Sequence, residues 1–423
     1  MRRLDELAQD TDEPGKITRL FLSPAHKSAM RRVRAWMEEA GLEARCDDIG
    51  NVVGHLECAS PEAPCFILGS HIDSVRDAGR YDGGFGVLSA IAIVEELRRT
   101  AVRLPFGLEV VAFGDEEGVR FPTTLSGSRA LAGTFAKESL GVRDAEGVSL
   151  EEGLRRFGCD PSAIGAIARE ARQVCGYLEP HIEQGPVLEE RNLALGVVTA
   201  IAGATRFNVE VRGQAGHAGT VPMALRKDAL AGAAAMISAV EEEARSAPEI
   251  VATVGTIAAL PGAVNVIPGE VRFSVDLRSP ADAARRRAVA SIRARLHAIA
   301  RERGLRLGIG SAFEAAATAC DKTLMEALGT ALSRKGHEDF RLPSGAGHDA
   351  MAMASLCPVV MLFLRCKGGI SHNPAEAITV GDAQAALEVM LDFLTHYRPP
   401  CPGPGAGAAT GSEGRGTGEA RRR

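Results

Sequence analysis

Aromatic residues and long apolar runs are scarce in this chain of 423 residues, and each scarcity excludes a class of protein. Aromatic residues make up 4% of the sequence, with a single Trp. No run of about 18 apolar residues occurs, so no membrane-spanning helix is expected. Residues 1–16 carry several acidic side chains and no apolar core, which argues against a secretory signal. We therefore expect a cytoplasmic protein without a membrane partner.

Excess positive charge is also absent. The chain has 49 Lys and Arg against 54 Asp and Glu, a formal net charge of −5, and the two signs are interspersed. Proteins that bind the phosphate backbone of nucleic acids concentrate basic side chains on one face. The charge pattern therefore predicts no nucleic-acid partner.

Cysteines are few, and no two of them form a Cys-x-x-Cys pair. The nine cysteines are an odd number scattered along the chain. This pattern indicates neither a disulfide framework nor a thiolate zinc site. Most cysteines are expected to be small core residues.

The residues that are abundant suit a large α/β protein. Hydrophobic residues make up 45% of the chain, which also has 47 glycines, and its length fits about two domains. Apolar runs at 66–69 and 108–113 predict buried strands, and 87–97 predicts a helix between them. Strands that alternate with helices favour a mainly parallel sheet covered on both faces, with ligands at the carboxyl ends of its strands.

A different rhythm in the middle of the chain predicts a second unit. Strands at 206–212, 251–258, 271–277 and 306–309 alternate with helices at 225–244 and 281–303. This βαββαβ order is typical of a ferredoxin-like sandwich. A helix at 324–335, a strand at 359–364 and a helix at 383–397 follow. We predict a first catalytic part over 1–204, an inserted α/β sandwich over 205–312, a second catalytic part over 313–398 and a disordered tail over 399–423.

Polar residues follow the predicted buried strands. His71 and Asp73 come after the first strand, where an imidazole can bind a metal while a carboxylate holds its other nitrogen. A structural histidine fits His71 equally well. Asp82 heads the helical pattern, where an N-cap is the simpler interpretation. The glycines after it resemble a phosphate loop, but no Lys-Ser/Thr follows.

A run of three carboxylates, Asp115, Glu116 and Glu117, follows the second buried strand. A solvated acidic turn would explain it, because adjacent carboxylates repel one another without compensation. Beside a metal, one Glu could be a ligand and its neighbour a general base. His181 and His372 are weak signals alone. With the carboxylates, the three imidazoles form a nitrogen and oxygen set suited to Zn²⁺, Mn²⁺ or Co²⁺.

Eight ordered motifs resemble one family, over about residues 20–397. They are GSHIDSV, YDGGFGV, GDEEGVRF, EPHIEQGPVLE, GHAGTVPM, NVIPGEVRFSVDLR, SGAGHDA and GISHNPAE. The chain resembles the M20 metallopeptidase/amidohydrolase superfamily, in the branch with allantoate amidohydrolase, N-carbamoyl-L-amino-acid hydrolase and β-ureidopropionase.

The resemblance implies two divalent metal ions per subunit, Zn or Mn, with Co or Ni possible. Asp82 would bridge them, and the remaining ligands would be His71, Glu117, His181 and His372. Glu116 would be the general base, and Asp73 would orient His71. Peptidases of the superfamily carry a carboxylate where His181 stands, which favours non-peptide C–N bonds.

The resemblance also implies substrate contacts. His217 would reach the active site of the partner subunit in a homodimer and polarise the scissile carbonyl, although a surface histidine in a glycine-rich turn is the alternative. The inserted sandwich would then be a lid and dimerisation domain. Further substrate contacts would come from Gln184, Asn265, Arg278 and Gly347. From its position alone, Arg278 could equally be a surface charge at a strand end.

The implied activity is hydrolysis of the ureido C–N bond of a small carboxylate. Allantoate or an N-carbamoyl amino acid would release ammonia and carbon dioxide. An aminoacylase or dipeptidase of the same superfamily is the first alternative. A non-catalytic metal-binding homologue is the second, and it predicts loss of the base or of a ligand.

Overall fold

Two β-sheets, each with its own hydrophobic core, organise this computed structural model. The described residues are 1–57 and 63–399, so the predicted tail over 399–423 lies outside them except for Pro399. No helix in these described ranges has the length and apolar character needed to cross a bilayer.

Helices surround both sheets. The α-helices of the described residues are α1 Arg2–Leu7, α2 Pro24–Glu39, α3 Gly84–Arg99, α4 Ser126–Leu131, α5 Leu150–Phe157, α6 Val187–Glu190, α7 Ala229–Arg245, α8 Asp282–Glu302, α9 Lys322–Arg334, α10 Ala350–Met353 and α11 Val380–His396. Short 3₁₀ helices lie at Lys137–Gly141, Pro161–Ala166, Ala171–Gln173, Met223–Leu225 and Lys367–Gly369.

The strands alternate with these helices along the chain. They are β1 Glu43–Cys46, β2 Val52–Leu56, β3 Cys65–His71, β4 Gly107–Phe113, β5 Val174–Ile182, β6 Leu195–Ile201, β7 Gly203–Arg212, β8 Gly216–His217, β9 Val251–Thr253, β10 Ile257–Leu260, β11 Val266–Ile267, β12 Glu270–Ser279, β13 Arg306–Ile309, β14 Phe313–Ala315, β15 Thr318–Ala319, β16 Arg341–Ser344 and β17 Val359–Leu364.

The large sheet has the strand order β1-β2-β4-β3-β5-β17-β6-β15, and β16 also pairs with β6. Its central strands β4, β3, β5 and β17 run parallel. The flanking pairs β1–β2, β2–β4 and β17–β6 are antiparallel. The predicted parallel sheet is therefore confirmed at its centre. All seven residues of β4 are buried, and Glu109 is its one charged residue, as expected of a strand covered on both faces.

The small sheet has the antiparallel order β10-β12-β7-β13, and α7 and α8 pack against its core. This is the strand order of the predicted ferredoxin-like sandwich. The chain enters it through β7, directly after β6, and returns through β14 to β15.

Most predicted elements differ from the observed ones by a few residues at their ends, and two of these differences have a local cause. The predicted strand over 251–258 is split into β9 and β10. The backbone N–H of Thr256, which lies between them, donates to the Ser274 hydroxyl at 3.1 Å and not to a backbone carbonyl of β12. The predicted helix over 225–244 begins at Ala229. The Asp228 carboxylate caps α7 there by accepting the N–H groups of Leu230 and Ala231 at 2.9 and 3.0 Å.

Candidate metal centre

Three histidines surround Asp82 at the edge where the parallel strands end. His71 is the last residue of β3, His181 lies near the end of β5, and Asp82 precedes α3. The Nε2 atoms of His71 and His181 lie 3.5 and 3.1 Å from Asp82 Oδ1. Because the carboxyl ends of parallel strands share one edge, distant sequence motifs meet here.

The other carboxylate oxygen of Asp82 faces a second group. His372 Nε2 lies 3.2 Å from Asp82 Oδ2 and 3.5 Å from Glu117 Oε2. Two clusters result, His71 with Asp82 and His181, and Asp82 with Glu117 and His372. In each, one ligand atom per residue lies within 4.8 Å of the others. Asp82 belongs to both.

Gly83 permits the close approach of Asp82 and His71. Its φ is 63°, and a Cβ at this position would lie 2.6 Å from the His71 ring. Any other residue would both strain the backbone and displace the imidazole. The glycine after Asp82 therefore serves the geometry of the centre.

The hydrogen bonds of His71 and His181 leave their Nε2 lone pairs directed at Asp82. His71 Nδ1 lies 3.0 Å from the Asp73 carbonyl oxygen, and His181 Nδ1 lies 2.8 Å from the Ile182 carbonyl oxygen. Since Nδ1 carries the proton that it donates, Nε2 of the neutral ring is an acceptor facing a carboxylate oxygen. A proton or a cation between them is required.

Buried atoms without partners indicate a cation. Asp82 Oδ1, His181 Nε2 and Glu117 Oε1 are buried and have no hydrogen-bond partner, whereas buried polar atoms are normally satisfied. Imidazole nitrogens and carboxylate oxygens are ligands of Zn²⁺, Mn²⁺, Co²⁺ and Ni²⁺. The residues present thus fit divalent metal binding.

The pKa shifts at the centre also result from the close approach of its carboxylates and imidazoles. Burial lowers the pKa of His71, but Asp82, Glu116 and Asp73 outweigh it and hold that pKa well above its usual range. Burial raises the pKa of Asp82, yet the three histidines hold it well below its usual range. Protons on the imidazoles compensate the same negative charge that a divalent ion would.

The Asp73 carboxylate is hydrogen-bonded to the backbone of the Asp115–Glu117 segment and lies farther from the His71 ring. Asp73 Oδ1 is 3.8 Å from His71 Nδ1, farther than the backbone carbonyl of the same residue. Its two oxygens accept the backbone N–H groups of Glu116 and Glu117, each at 3.2 Å. The Asp73 carbonyl thus contacts the His71 ring, and its carboxylate contacts the backbone of the predicted base and of a predicted ligand. The orienting role of the carboxylate stays a prediction.

Glu116 lies beside the metal cluster. Its carboxylate approaches the His71 and Glu117 ligand atoms. A Cβ on Gly347 would lie 3.9 Å from Glu116 Oε1, so these two predicted residues are neighbours. Burial raises the pKa of Glu116. His71 lowers this pKa, but the carboxylates of Glu117 and Asp349 raise it, and the result lies well above the usual range. A carboxyl group of raised pKa suits proton transfer near neutral pH.

Strained backbone marks the loops of the centre. Asp115, Gln184 and His372 have φ values of 66°, 59° and 54°, in the left-handed region that side chains other than glycine rarely occupy. Such strain persists where surrounding contacts enforce it, and it clusters at functional sites.

Two residues without a predicted role join these loops. The Ser371 hydroxyl lies 3.0 Å from both Asp82 Oδ2 and Glu376 Oε2. Glu376 Oε1 accepts the backbone N–H groups of Tyr81 and Asp82 at 2.7 and 3.1 Å. The Gln184 amide donates to Asp82 Oδ2 at 3.0 Å. Glu376 lies in the GISHNPAE motif, which was the one available signal.

Buried polar residues also support His181. The His348 ring packs edge-on against it with centroids 4.5 Å apart, and His348 Nε2 lies 2.7 Å from the Ser344 hydroxyl. Glu179, two residues before His181, accepts from the Ser70 hydroxyl and from the Ala350 N–H, each at 2.9 Å. No periodic pattern in the sequence indicates these contacts.

The predicted substrate residues of the small sheet lie in two places. Arg278 faces a cavity of about 1070 Å³ between the two sheets. Its guanidinium holds Asp276 through two contacts of 3.1 Å and donates to the Gly345 carbonyl at 2.8 Å. His217 and Asn265 are both exposed. His217 ends β8 and Asn265 directly precedes β11, and these two strands form a separate two-stranded antiparallel sheet.

Comparisons with known proteins show which proteins this chain is similar to. The model of peptidase family M20/M25/M40 matches residues 67–396. The N-carbamoyl-L-amino acid amidohydrolase of Geobacillus stearothermophilus is 42% identical over 390 residues, 92% of this chain and 95% of that one. Allantoate deiminase of Arabidopsis thaliana is 41% identical over 425 residues, 93% of this chain and 81% of that one. An amidase of the hydantoinase/carbamoylase family from Burkholderia multivorans has a TM-score of 0.88 at 34% identity and covers 93% of this chain and 96% of its own. The resemblance predicted from the motifs is confirmed.

Proposed function

Because this chain belongs to peptidase family M20/M25/M40, we propose that it hydrolyses the ureido C–N bond of a small carboxylated substrate. Allantoate and N-carbamoyl amino acids are the candidates, since relatives about 40% identical over most of the chain are named for them. The observation that carries the proposal is the convergence of His71, His181 and His372 on the two oxygens of Asp82. A histidine at position 181, where peptidases of the superfamily carry a carboxylate, does not favour an aminoacylase or a dipeptidase. A non-catalytic homologue would have lost the base or a ligand, whereas Glu116 and the five candidate ligands are all in the sequence.

Two divalent ions would be held by the two clusters. His71 and His181 would bind one ion, Glu117 and His372 the other, and Asp82 both. When bound, the ions would polarise the scissile carbonyl and lower the pKa of the attacking water. Zn and Mn suit this ligand set, and Co and Ni are also compatible with it.

Glu116 would carry the proton through the reaction. It accepts a proton from water as the water oxygen bonds to the ureido carbon. It then delivers this proton to the leaving nitrogen as the C–N bond breaks. The carbamic acid formed from a carbamoyl group decomposes to ammonia and carbon dioxide, and the amine is freed.

Gln184 and Arg278 would orient the substrate. Gln184 donates to Asp82, and its Oε1 is buried without a partner, so this oxygen can accept a ureido N–H group. Arg278 can bind a substrate carboxylate in bidentate fashion. Its contact with the Gly345 carbonyl would hold the guanidinium while the substrate replaces Asp276. Asn265 and Gly347 would complete the contacts.

His217 of the partner subunit would complete each site in a homodimer. The Gly219 N–H donates to His217 Nδ1 at 3.0 Å, which leaves Nε2 as the protonated nitrogen of the neutral ring. An exposed Nε2–H is suited to donate to the oxyanion that develops on the carbonyl oxygen. Closure of the small-sheet domain over the substrate would bring this donor to the site.

Ammonia release tests the proposed reaction. The metal-loaded protein is assayed for ammonia release with allantoate, N-carbamoyl-β-alanine and several N-carbamoyl-L-amino acids. It is assayed for release of free amino acids with a panel of dipeptides and N-acyl amino acids. We expect ammonia from one ureide, abolished in Glu116→Gln and in metal-stripped protein but retained in Glu138→Gln, whose side chain is exposed. Cleavage of dipeptides or N-acyl amino acids with no turnover of any ureide would overturn the proposal.

A further inference from the structure

A second cluster of side chains that can bind a metal lies at the opposite end of the strands of the large sheet. It consists of His55 on β2, Cys65 at the start of β3 and Glu109 on β4. Cys65 and His71 begin and end the same strand, so this cluster is about 20 Å from the catalytic centre at roughly 3.3 Å per residue. It is therefore a separate place in the molecule.

The register of the sheet brings the three side chains together. His55 is directly opposite Glu109 in the antiparallel β2–β4 ladder. Cys65 is opposite Gly107, two residues before Glu109, in the parallel β3–β4 ladder. Because side chains two residues apart share a face, all three project to the same side.

One ligand atom from each of the three residues lies within 4.8 Å of the other two. His55 Nδ1 lies 3.8 Å from Cys65 Sγ and 3.7 Å from Glu109 Oε1. A tetrahedral zinc ion with ordinary bond lengths separates a sulfur from a nitrogen ligand by about 3.5 Å and a nitrogen from an oxygen ligand by about 3.4 Å. The observed separations exceed these by a few tenths of an ångström, so a small inward movement would complete the ligand set.

The same geometry argues against a nucleophile–histidine–carboxylate triad. In such a triad the nucleophile and the carboxylate contact opposite nitrogens of the imidazole. Here both Cys65 Sγ and Glu109 Oε1 approach Nδ1. Convergence on one nitrogen suits a shared cation instead.

Independent features of this place also indicate a ligand. Glu109 is 6% exposed, and its Oε2 is buried without a hydrogen-bond partner, while Arg169 contacts only Oε1 at 3.0 Å. A Cβ on Gly107 would lie 2.7 Å from Cys65 Sγ, so the glycine leaves room for the thiol. A cavity of about 580 Å³ opens beside the cluster and gives access to solvent.

We propose that His55, Cys65 and Glu109 bind a divalent cation of the zinc type, with water in the fourth position. A thiolate, an imidazole and a carboxylate suit Zn²⁺ or Co²⁺ better than Mg²⁺ or Ca²⁺. The cation would clamp β2, β3 and β4 together away from the reaction.

Cobalt absorption tests this site separately from the catalytic centre. The full-length, reduced, metal-free protein is titrated with Co²⁺, and thiolate-to-cobalt charge transfer is followed in the near ultraviolet. The catalytic candidates are histidines and carboxylates, so this band reports only a cysteine ligand. We expect it to saturate at one thiolate-bound Co²⁺ per chain in the wild type and in Cys46→Ser, which removes an exposed thiol.

Variants of the cluster decide the outcome. Cys65→Ser should abolish the band, and His55→Gln should raise the Co²⁺ concentration at half-saturation on the order of tenfold or more. Circular dichroism checks that both variants are folded. No band in the wild type, or an equal band in Cys65→Ser, would overturn the site. The readout needs no turnover, so a protein that hydrolyses no ureide but shows this band contradicts only the proposed function.

Discussion

Glu376 Oε1 accepts the backbone N–H of Asp82 at 3.1 Å, across 294 positions of sequence. Its other oxygen lies 3.0 Å from the Ser371 hydroxyl, next to His372. The buried carboxylate of Glu376 thus connects the loop of Asp82 to the loop of His372. Outer contacts of this kind orient the ligands of a metal.

Glu376→Ala should weaken metal binding without removing a ligand. We expect the metal concentration for half-maximal activity to rise by about tenfold to a hundredfold, because the two loops lose their common acceptor. Glu376→Gln keeps one carbonyl oxygen and should fall between Ala and the wild type. Metal titrations of activity measure this order, and kcat at saturating metal should largely recover. Unchanged metal dependence in both variants would contradict a positioning role.

Asp82→Asn should remove more metal than any single histidine substitution. Two of the candidate ligand clusters contain Asp82, and only one of these two contains His181. The proposed site at Cys65 is removed first by Cys65→Ser. In that background we expect elemental analysis to give about two ions per chain in the parent, about one after His181→Ala and almost none after Asp82→Asn. Asp5→Asn, which alters an exposed ion pair with Arg80, is the matched control. Equal metal loss in the Asp82 and His181 variants would argue against a shared ligand.

Mixed dimers test whether His217 acts across the subunit interface. His217→Ala and Glu116→Gln should each be nearly inactive alone. After unfolding and refolding of a 1:1 mixture, half of the dimers are mixed, and each mixed dimer has one intact site if the histidine comes from the partner. A recovery of about a quarter of wild-type activity is expected. Refolded wild-type protein sets the scale, and no recovery would place His217 in the same subunit as its Glu116.

His26 should make the fold sensitive to acid. Burial, followed by the charge of Arg19, lowers its pKa to about 3, and its Nδ1 accepts the Leu22 N–H at 3.2 Å. A histidine in the unfolded chain titrates near 6.5. The neutral, buried His26 therefore contributes fully to the free energy of unfolding above that pH, and this contribution is lost as the pH falls toward 3. Within this window the loss is about 1.4 kcal/mol per pH unit.

Urea unfolding of metal-free protein between pH 7.5 and 4.5 measures this dependence. His26→Asn retains an acceptor near the position of Nδ1 but cannot titrate in this range. It should be less stable at pH 7.5, through lost packing against Phe21 and Phe157, and its stability should fall less steeply with acid. Parallel curves for the two proteins would refute the assignment to His26.

Local sequence was sufficient for three of the nine strands that the described residues form in the large sheet, namely β3, β4 and β17. The apolar runs at 66–69 and 108–113 predicted β3 and β4, because strands buried on both faces carry few polar residues. Polar residues directly after such strands predicted the edge where a ligand would bind. The βαββαβ rhythm likewise predicted the small sheet, although the side chains of Ser274 and Asp228 shifted two of its boundaries.

Distances between the ligands were decided only by the tertiary structure. The motifs indicated that His71, His181 and Asp82 belong to one site, but not that both imidazoles face Oδ1 while His372 faces Oδ2. That arrangement depends on the pairing of parallel strands and on left-handed loop residues, neither of which leaves a periodic signal.

The cluster of His55, Cys65 and Glu109 shows the same limit. The cysteine pattern indicated no thiolate metal site, because such sites are recognised in sequence by closely spaced ligands. In the fold, the registers of β2 with β4 and of β3 with β4 place the three side chains on one face. Local patterns of burial thus determined where strands and helices form, whereas metal-ligand geometry, which depends on separations of a few ångströms between distant residues, was decided by strand register and loop conformation.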